Sequence, residues 1–595
     1  MTSFEIEELD FDTAAVSHWS RDDRRRTNWP VVYLLDAPPS RSTSQLREIY
    51  VGESLNVSAR MRQHLDSGIR NHLKKIRVVF DDRFNKSVCL DLESYLIRLF
   101  AGDGAFQVLN RNAGITDAEY YERALYQETF REVFEHLKDE GMFTRSIREI
   151  ENSDLFKLSP FKALTHDQAI AVEDIVEGLF TDLQEGKSST IVIQGHPGTG
   201  KTVVAIYLLK LLADIRAANP SDVRDSDSMF SDFFVEGYPE LLRDFRMGLV
   251  IPQQSLRRSA SRVFKKTPGL DPKMVLTAFD VGQSEEEFDL LIVDETHRLN
   301  QRANQPSGPL NAKFKKITEK LFGRDDISKT QLDWITARSR HQIFLVDADQ
   351  RVRPADLPGE VLAALTSAAK DQNRHYPLAT QMRVQAGADY VDYVRRILPP
   401  DGDARAIPAA QEFTGYDLRL FDDLGEMHAM IRAKDEAVGL ARLVAGYAWK
   451  WVSKVNPALY DITIDGQNLR WNSEAVDWIA SADSLQEVGS IHTVQGYDLN
   501  YAGVIIGPDL KFDPVESRLY FDRAAYFDTK GKENNRALGT TYSDADLLPF
   551  ITNIYRVLLT RGIRGTYVYV CDPALREYLA RFIHSEASQA TTDQS

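Results

Sequence analysis

Cysteine is scarce in this sequence, with only Cys89 and Cys571 among 595 residues. Two cysteines so far apart provide neither a framework of disulfide bonds nor the clustered ligands of a zinc site. Long apolar runs are also missing, since none approaches the roughly 20 residues that a membrane-spanning helix needs. The first residues, MTSFEIEELD, are acidic, whereas a secretory signal begins with basic residues followed by apolar ones. These absences predict a cytoplasmic protein with no membrane partner.

Positive charge is in deficit, because 72 Lys and Arg face 88 Asp and Glu, for a formal net charge of −16. Binding to phosphates depends on the local field rather than on this total. Residues 21–116 differ from the rest of the chain, with sixteen Lys and Arg against eleven Asp and Glu. This basic segment is compatible with contact to a polyanion, and equally with a solvated surface that has no partner.

The pattern of apolar segments predicts an α/β protein of several domains. At 595 residues the chain is too long for a single hydrophobic core. From Leu164 onward, apolar strands alternate with amphipathic helices, which is typical of a mostly parallel sheet. The strands form two successive sets, and each set predicts one α/β domain. The predicted strands are 190–195, 248–252, 289–295 and 342–349 in the first set, and 418–421, 503–507 and 566–571 in the second.

The segment GHPGTGKT at 195–202 fits the phosphate-loop pattern G-x-x-x-x-G-K-[ST], between an apolar strand and an amphipathic helix. Its glycines allow backbone N–H groups to surround phosphates, while Lys201 adds a positive charge and Thr202 a hydroxyl for Mg²⁺. The segment therefore predicts an ATP site. Its residues are Gly195, His196, Pro197, Gly198, Thr199, Gly200, Lys201 and Thr202.

An acidic pair follows a later apolar strand, as Asp294 and Glu295 after LLIV. The carboxyl end of a strand in such a fold is the place for a metal-binding carboxylate and for a residue that orients the attacking water. We predict that Asp294 binds Mg²⁺ and that Glu295 activates the water. Phosphate loops also serve kinases, transporters and GTPases, so these two motifs alone predict only an NTPase.

Five further segments resemble, in consistent order, the ATP-handling motifs of superfamily 1 helicases. The resemblance implies a glutamine that reads adenine, a glutamine that senses the γ-phosphate, and arginines that reach ATP from the second domain. It further implies that Arg561 is an arginine finger. The segments are LTHDQ at 164–168, DADQ at 347–350, QMR at 381–383, IHTVQGYD at 491–498 and NIYRVLLTR at 553–561. The implied nucleotide-binding residues are Gln168, Gln350, Arg383, Gln495, Gly496 and Arg561.

The segments GHPGTGKT, IHTVQGYDLNYAGVIIG and NIYRVLLTRG are most similar to those of the Schlafen-type helicase domains of bacterial proteins. This resemblance covers roughly residues 160–580. The motif that would follow the phosphate loop is met only loosely, by residues 251–254. The choice between DNA and RNA, and the polarity of movement, therefore stay open.

A second resemblance concerns the basic N-terminal part, which is similar to GIY-YIG nucleases. Val31-Val32-Tyr33 and Tyr50-Val51-Gly52 stand for the two strands of that family, followed by an arginine, a histidine, a glutamate and an asparagine. Arg60 and His64 are one helical turn apart, so both project from one helix face. The residues that carry the resemblance are Tyr33, Tyr50, Arg60, His64, Glu93 and Asn110.

The GIY-YIG resemblance implies metal-dependent cleavage of a phosphodiester. Glu93 would hold one Mg²⁺ or Mn²⁺, Tyr33 or Tyr50 would take a proton from water, and Arg60 would pair with the phosphate. A tyrosine with the usual pKa near 10 is a poor base, so the metal and Arg60 would have to lower that pKa. The alternative is a binding module, in which both tyrosines pack a core and Arg60 and His64 lie on the surface.

The predicted fold is α/β, with a small GIY-YIG domain followed by two RecA-like parallel-sheet domains that carry helical insertions. The predicted divisions are an N-terminal segment at 1–28, a GIY-YIG nuclease-like domain at 29–116, a connector helix and linker at 117–160, a first RecA-like domain at 161–375, a second at 376–583 with an insertion near 399–485, and a disordered tail at 584–595.

The predicted function is an ATP-dependent helicase or translocase fused to a metal-dependent endonuclease, acting in defence against foreign DNA or in DNA processing. The alternative is an ATP-gated sensor whose motor does not unwind and only regulates the N-terminal domain. A scaffold without enzymatic activity is disfavoured, because Lys201, Asp294, Glu295 and Arg561 are all present. The expected cofactors are ATP and Mg²⁺. The expected partner is nucleic acid, with DNA favoured over RNA, and oligomers or protein partners stay open.

Overall fold

A computed structural model describes residues 4–21, 23–38, 46–111, 119–219, 230–303, 305, 307–347, 350–382, 384–406, 409–474, 478–494 and 497–584. The chain forms two compact units. The first unit contains residues 1–187, 202–245 and 259–274, and the second contains residues 188–201, 246–258 and 275–595. Of the predicted tail at 584–595, residues 585–595 lie outside the described residues.

The first unit begins with a five-stranded sheet in the order β1-β4-β2-β3-β5. Strands β2 and β3 form an antiparallel hairpin that places Tyr33 opposite Gly52. The strands are β1 Phe4–Asp10, β2 Val31–Asp36, β3 Arg47–Ser54, β4 Lys75–Asp81 and β5 Phe106–Val108. The helices are α1 Thr13–Trp19, α2 Arg25–Asn28, α3 Val57–Ser67, α4 Lys86–Asp103, α5 Arg123–Asp139, α6 Ile147–Glu151, α7 Asp154–Lys157 and α8 His166–Glu185.

Side-chain alternation along β2 and β3 gives this sheet two buried faces. Tyr33 and Tyr50 pack on one face with Met61 of α3, and Val32 and Val51 pack on the other face with α4. Both helices begin at an asparagine whose side chain accepts a backbone N–H, and both end at a left-handed glycine. The hairpin and the two helices therefore have fixed positions around the tyrosines.

The last part of the predicted connector helix and linker at 117–160 contains α6 and α7 in the structure. Ser146 and Ser153 cap these helices through their side chains. The buried Asp103 carboxylate accepts hydrogen bonds from the backbone N–H groups of Thr144 and Arg145, each at 3.1 Å. Capping and this buried carboxylate explain why a charged, turn-rich segment is ordered.

Three more helices follow α8. They are α9 Lys201–Arg216, α10 Tyr238–Leu241 and α11 Gln254–Lys266. Within the described ranges, no helix combines the length and the apolar character that crossing a bilayer requires.

The second unit contains two parallel sheets, which confirms the predicted α/β architecture of this part. The first sheet has six strands, all parallel, in the order β11-β6-β10-β9-β7-β8. Its strands are β6 Ser189–Gly195, β7 Met247–Val250, β8 Val275–Leu276, β9 Phe288–Val293, β10 Ser339–Val346 and β11 His375–Leu378. The predicted boundary at 375/376 thus falls inside β11.

The second sheet has the order β12-β20-β17-β13-β16-β15-β14, and only the β14–β15 pair is antiparallel. Its strands are β12 Asp417–Phe421, β13 Ala441–Ala445, β14 Ile462–Ile464, β15 Gln467–Trp471, β16 Glu487–Ser490, β17 Leu499–Ile506 and β20 Gly562–Val570. The short strands β18 Leu510–Asp513 and β19 Arg518–Phe521 form a separate hairpin. Strands β12 to β15 belong to this sheet although they lie in the range 399–485, where an insertion is predicted.

Most helices of the second unit lie between these strands in the chain, since parallel neighbours need a crossover connection. They are α12 Ala278–Gln283, α13 Gly308–Phe322, α14 Gln331–Ala337, α15 Gly359–Asp371, α16 Gly387–Ile397, α17 Leu424–Val438, α18 Ile491–Val494, α19 Asp544–Leu559 and α20 Pro573–Leu579. The apolar face of α19 packs into the larger of the two cores of the second sheet.

Candidate functional site

The phosphate-loop segment joins the end of β6 to the start of α9, as its pattern predicts. Gly198 has φ of 87° and Gly200 has φ of 77°, a backbone conformation that favours glycine. The Thr199 hydroxyl donates to the carbonyl of His196 at 3.0 Å, so the loop is held by an internal hydrogen bond.

Lys201 is buried beneath this loop. Its Nζ donates to the carbonyl oxygens of Gly195 at 2.6 Å and His196 at 2.9 Å. The same Nζ lies 3.4 Å from Oδ2 of Asp347, which follows β10. The ammonium group is therefore held in one position by backbone oxygens and a carboxylate, where it can serve as a point charge for phosphate.

The acidic pair lies at the carboxyl end of β9. Asp294 is fully buried, and its Oδ1 accepts the backbone N–H of Glu295 at 2.9 Å. Glu295 has φ of 49°, a strained value for a residue with a side chain, and its carboxylate lies 2.9 Å from Nε2 of His297. Burial by itself raises the pKa of Glu295, but His297, Lys201 and Arg561 together hold that pKa below its usual range. Glu295 is therefore ionised at neutral pH, and its carboxylate can accept a hydrogen bond.

A chain of polar contacts connects Lys201 on the first sheet with Arg561 on the second. Asp347 Oδ2, which faces Lys201, accepts Nε2 of Gln350 at 2.7 Å. Gln350 Oε1 in turn accepts Nη2 of Arg561 at 3.4 Å, and Arg561 also donates to the carbonyl of Tyr497 at 3.3 Å. Lys201 and Arg561 both lie close enough to Glu295 to lower its pKa, so these three side chains lie near one another.

The segment QMR at 381–383 follows β11 and contacts the phosphate loop directly. Gln381 Nε2 donates to the carbonyl of Pro197 at 2.6 Å, and the backbone N–H of Met382 donates to the carbonyl of Gly198 at 2.9 Å. Arg383 lies outside the described residues, as do Gln495 and Gly496.

The segment IHTVQGYD contributes a histidine to an ionic cluster. His492 Nε2 lies 3.0 Å from Oδ2 of Asp528, and Arg353 donates to the same oxygen at 3.0 Å. Arg353 follows Gln350 by three positions, so residues near both sheets meet at Asp528. Burial first, and then Arg353, lowers the pKa of His492 to about 4.

Gln168 and Thr202 lie in the first unit. Gln168 is buried at the start of α8, where its Oε1 accepts the backbone N–H of Thr165 at 3.0 Å in a capping box. Its structural role is thus a helix cap. Thr202 follows Lys201 in the first turn of α9 and is partly exposed.

The donor atoms near the phosphate loop fit magnesium. Mg²⁺ is usually bound through one or two carboxylates together with the phosphates of its substrate. Asp294 supplies a buried carboxylate at the end of β9. Among the described residues there is no group of three or more His, Cys, Asp or Glu side chains that could bind a metal by itself. A nucleotide-dependent magnesium site is compatible with this donor set.

The structure brings the two predicted nuclease tyrosines together with His64. Tyr33 Oη lies 2.9 Å from His64 Nε2, and the ring centroids of Tyr50 and His64 are 5.5 Å apart. The two tyrosine rings are 6.2 Å apart. Gly52 faces Tyr33 so closely that an added Cβ would lie 2.5 Å from its Cζ and Oη. The hairpin pairing of β2 with β3 therefore creates the cluster.

Arg70 completes this cluster, and sequence reasoning missed it. Its Nη1 lies 2.6 Å from His64 Nδ1, and its guanidinium group lies 3.8 Å from the centre of the Tyr50 ring. Burial first, and then Arg70 and Arg60, lower the pKa of His64 to about 3, so this imidazole is neutral. Because arginine only donates, Nδ1 accepts and Nε2 carries the proton that is donated to Tyr33.

Arg60 and Glu93 lie close enough to Tyr33 to influence its pKa. Burial, followed by the neighbouring Tyr50, raises the pKa of Tyr33 well above its usual value, while Arg60 acts in the opposite direction. Tyr33 is therefore a protonated phenol at neutral pH rather than a ready base. Asn110 is also buried, where its side-chain amide makes two hydrogen bonds with the backbone of Val51, at 2.7 and 3.1 Å.

No pattern in the sequence could have identified Arg70 or Arg353. Arg70 lies beyond Gly68, the left-handed residue that ends α3, so helical periodicity does not relate it to His64. Arg353 and Asp528 are 175 positions apart. Asp347, in contrast, stands in the DADQ segment, where its place after a strand was a usable signal.

Two curated proteins share sequence with this chain. An uncharacterized protein of Saccharomyces cerevisiae, YPL245W, is 27% identical over 454 residues, which are 70% of this chain and 90% of that protein. The ATP-dependent DNA helicase RecG of Aquifex aeolicus is 26% identical over 190 residues, which are 30% of this chain and 23% of that protein.

Two solved structures of Pif1 helicases also match. One structure concerns DNA unwinding at forked duplexes by two coordinating Pif1 helicases. The other is Pif1 from Bacteroides in complex with ADP-AlF3 and single-stranded DNA. Each is 9% identical and covers 73% of this chain and 97% of the solved chain. Their TM-scores of 0.25 and 0.26 are too low to indicate a shared arrangement of the whole chain.

The strongest comparison concerns the part of the chain that carries both parallel sheets. A family model described as Schlafen group 3, DNA/RNA helicase domain matches residues 188–572, which is more than half of the chain. The match includes the phosphate loop, the acidic pair and the Arg561 segment. The chain therefore belongs to the family of Schlafen group 3 DNA/RNA helicase domains.

Proposed function

We propose that this protein is an ATP-driven motor that moves along or remodels nucleic acid. The observation that carries the proposal is the chain of contacts from Lys201 through Asp347 and Gln350 to Arg561. It connects the side chain best suited to bind phosphate with a cation on the other parallel sheet. A nucleotide bound between them would contact both sheets, so its hydrolysis would change how they are held together.

The side chains in this series of contacts, together with Glu295, have chemistry suited to ATP hydrolysis. Lys201 would neutralise phosphate charge, and the ionised Glu295 would orient a water molecule by accepting its proton in a hydrogen bond. Gln350, which is hydrogen-bonded to both Asp347 and Arg561, would report the loss of the γ-phosphate to Arg561. Arg561 would stabilise the negative charge that develops as the phosphoryl group leaves.

The remaining predicted contacts extend this proposal. Asp294 and Thr202 would hold Mg²⁺, which supplies charge neutralisation at the phosphates when it is bound. We keep the assignment of Gln168 to adenine and of Arg383, Gln495 and Gly496 to nucleotide binding as predictions from the helicase resemblance. The division into two RecA-like domains at residue 375 likewise stays a prediction.

The substrate class follows from the family, which is one of DNA/RNA helicase domains. Similarity to RecG, a DNA helicase, favours DNA. We therefore propose single- or double-stranded DNA as the first track to test. An ATP-gated sensor that binds nucleic acid without separating strands is the alternative function of the same site.

The test is ATP hydrolysis measured with no polymer, single-stranded DNA, duplex DNA and single-stranded RNA. We expect one polymer to stimulate hydrolysis and Lys201→Ala to abolish it, while Lys315→Ala, a surface lysine with its side chain 54% exposed, has no effect. Hydrolysis that survives Lys201→Ala would contradict the assignment of the phosphate loop. Separation of a forked duplex supports the motor, and stimulated hydrolysis without separation supports the sensor.

A second proposed activity belongs to the first unit. The contact of Tyr33 with a neutral His64, next to Tyr50 and Arg70, is a buried polar cluster with Arg60 and Glu93 nearby. This arrangement supports our proposal of a GIY-YIG-type endonuclease in residues 29–116. Arg60 and Arg70 would bind the scissile phosphate, and Glu93 would hold the Mg²⁺ or Mn²⁺ that lowers the pKa of the attacking water.

Nicking of supercoiled plasmid in Mg²⁺ or Mn²⁺ tests the second activity. We expect Glu93→Gln to abolish nicking, because a neutral amide binds a divalent cation far more weakly than a carboxylate does. Glu135→Gln is the matched control, since this glutamate lies on the exposed side of α5. Nicking that persists in Glu93→Gln removes Glu93 from the chemistry and favours a binding module.

A further inference from the structure

The segment that follows β13 carries an unusual concentration of aromatic side chains. Residues 446–461 read GYAWKWVSKVNPALYD. We call the rings of this segment, with the cations beside them, the aromatic surface. It consists of Tyr447, Trp449, Trp451 and Tyr460 together with Lys450, Lys454 and Arg470.

The aromatic surface and the apolar side chains beside it are open to solvent. Val455 is 90% exposed, Leu459 is 47% exposed and Tyr460 is 48% exposed. Trp449 and Trp451 are partly exposed, and they lie at the edge of the buried core around Trp471. Exposed apolar groups this close together are usually covered by a partner.

Internal contacts hold the segment in one conformation. The ring of Tyr447 stacks on buried Trp471, with centroids 5.4 Å apart and an angle of 16°. The Asp461 carboxylate accepts the backbone N–H groups of Ser453 at 2.8 Å and Trp471 at 2.9 Å. A ligand that stacks on prearranged rings loses little free energy to ordering them.

Positive charge accompanies the rings. The Lys454 ammonium group lies 5.3 Å from the centre of the Trp451 ring, and the Arg470 guanidinium group lies 4.3 Å from that of Tyr460. Residues 446–460 include two lysines and no carboxylate. The nearest acid in sequence, Asp461, is engaged by the hydrogen bonds described above. A partner that offers flat rings and negative charge fits such a surface better than an apolar protein face does.

The aromatic surface lies at the edge of the second sheet where parallel strands end. The segment leaves the carboxyl end of β13 and passes the end of β17, where a Cβ added to Gly507 would collide with Ala448. The ring centroid of Tyr447 is 5.7 Å from that of His492, at the end of β16. Ligands of open α/β sheets bind at this edge.

We propose that the aromatic surface binds single-stranded nucleic acid by stacking bases on its rings, while Lys450, Lys454 and Arg470 pair with the phosphates. The inference rests on the proposed motor function and specifies where the second sheet contacts the nucleic acid. Stacking tolerates any base sequence, as a motor requires, because every base has a π face. It also serves DNA and RNA alike, since it does not involve the sugar.

The position of Tyr447 connects this surface with the nucleotide site. Tyr447 contacts His492, and His492 and Arg353 share Asp528. Arg353 follows Gln350, which lies in the chain of contacts from Lys201 to Arg561. A nucleic-acid strand stacked on the aromatic surface is thus connected, through a few side-chain contacts, with the residues proposed to sense ATP.

The main test is fluorescence anisotropy of the full chain with labelled dT and rU strands of about 20 nucleotides, longer than one typical stacking site. Trp451→Ala and Tyr460→Ala should each raise the Kd about fivefold or more for both strands, since each stacked base contributes measurably to affinity. Trp451→Phe should restore binding to within about twofold. Tyr520→Ala, which removes a tyrosine 45% exposed on β19, is the matched control and should have no effect.

Two further measurements keep the proposal testable if Trp451→Ala fails to fold. Base stacking should quench tryptophan fluorescence in the wild type, and less so in Trp451→Phe. Replacing Lys450 and Lys454 by glutamate should reduce the slope of log Kd against log salt concentration by about 0.7 for each lost phosphate contact. Lys315→Glu should leave that slope unchanged.

The outcomes separate this proposal from the proposed function. If the wild type binds single strands and Tyr460→Ala binds them equally well, the aromatic surface is not the contact, and the motor function stands. If the wild type binds neither strand and no polymer stimulates hydrolysis, the motor function itself fails. If Tyr460→Ala loses self-association in sedimentation velocity and keeps the wild-type Kd, the surface is an interface between copies of the chain, and our proposal is overturned.

Discussion

Replacing Arg561 by glutamine tests whether an arginine on the second parallel sheet takes part in ATP hydrolysis. Arg561 is only 2% exposed and donates to Gln350 Oε1 at 3.4 Å and to the carbonyl of Tyr497 at 3.3 Å. Its charge also helps to hold the pKa of Glu295 below its usual range. Glutamine retains an amide donor and about two-thirds of the side-chain length, but it carries no charge.

The expected effect is large on hydrolysis and small on ATP binding. An arginine that stabilises the phosphoryl transition state contributes a factor of about 10³ to 10⁵ in kcat. We take the lower figure, since glutamine can still donate, and expect kcat to fall about 10³-fold, or about 4 kcal/mol. The two lost hydrogen bonds are long, so the loss of stability should be near the lower end of about 0.5–1.5 kcal/mol for each. The phosphate loop supplies most ground-state contacts, so the Kd for ATP should change less than about threefold.

Steady-state ATP hydrolysis with the stimulating polymer gives kcat, and titration with a fluorescent ATP analogue gives the Kd. Arg536→Gln is the matched control, because this arginine is exposed in the same unit. A kcat for Arg561→Gln close to that of the wild type would refute the idea that this arginine stabilises the transition state. A parallel loss of ATP binding would instead assign Arg561 to ground-state binding.

Three further predictions concern other contacts. Arg353→Ala leaves the buried Asp528 carboxylate with one partner fewer, so we expect the second unit to lose about 3 kcal/mol of stability in urea denaturation; an unchanged midpoint would show that the pair is not stabilising. The pKa of His64 is lowered to about 3 in the folded protein, whereas an unfolded histidine titrates near 6.5. As the pH falls below about 6.5, the unfolded chain therefore binds a proton first, and the free energy of unfolding declines until about pH 3. His64→Gln should therefore lose about 2 kcal/mol less stability than the wild type between pH 7 and pH 5 in thermal melts of the first unit, and equal losses would contradict this sign. Gly52→Ala places a Cβ 2.5 Å from Tyr33 Cζ and Oη, so plasmid nicking should fall at least tenfold while the fold persists; wild-type nicking would separate Tyr33 from the chemistry.

Much of the fold was predictable because its signals are local. A continuous apolar strand such as 190–195 is recognisable wherever it occurs, since a parallel strand is buried on both faces. Helix α3 at Val57–Ser67 has such local signals, because Asn56 caps its start and the left-handed Gly68 ends it. Strand β1 at Phe4–Asp10 was missed, since a half-buried edge strand with four carboxylates is hard to tell from an acidic tail.

The candidate site was predictable only in part. The phosphate loop and the acidic pair follow from short patterns whose chemistry requires those residue types at those positions. The pairing of Tyr33 with Tyr50 was also suggested by sequence, as the hairpin brings nearby strands together. The neutral state of His64 was not predictable from sequence. It results from burial and from the contact with Arg70, and no helical periodicity relates Arg70 to His64.

By itself, the sequence determined which side chains are available for phosphate, water and base stacking, together with the order of strands that carry them. Only the tertiary structure decided which of them meet. Lys201 and Arg561 are 360 positions apart, and they become neighbours in one chain of contacts because two parallel sheets turn residues near their strand ends toward a common region. Such contacts depend on the burial and pairing of many strands at once, and no local pattern encodes them.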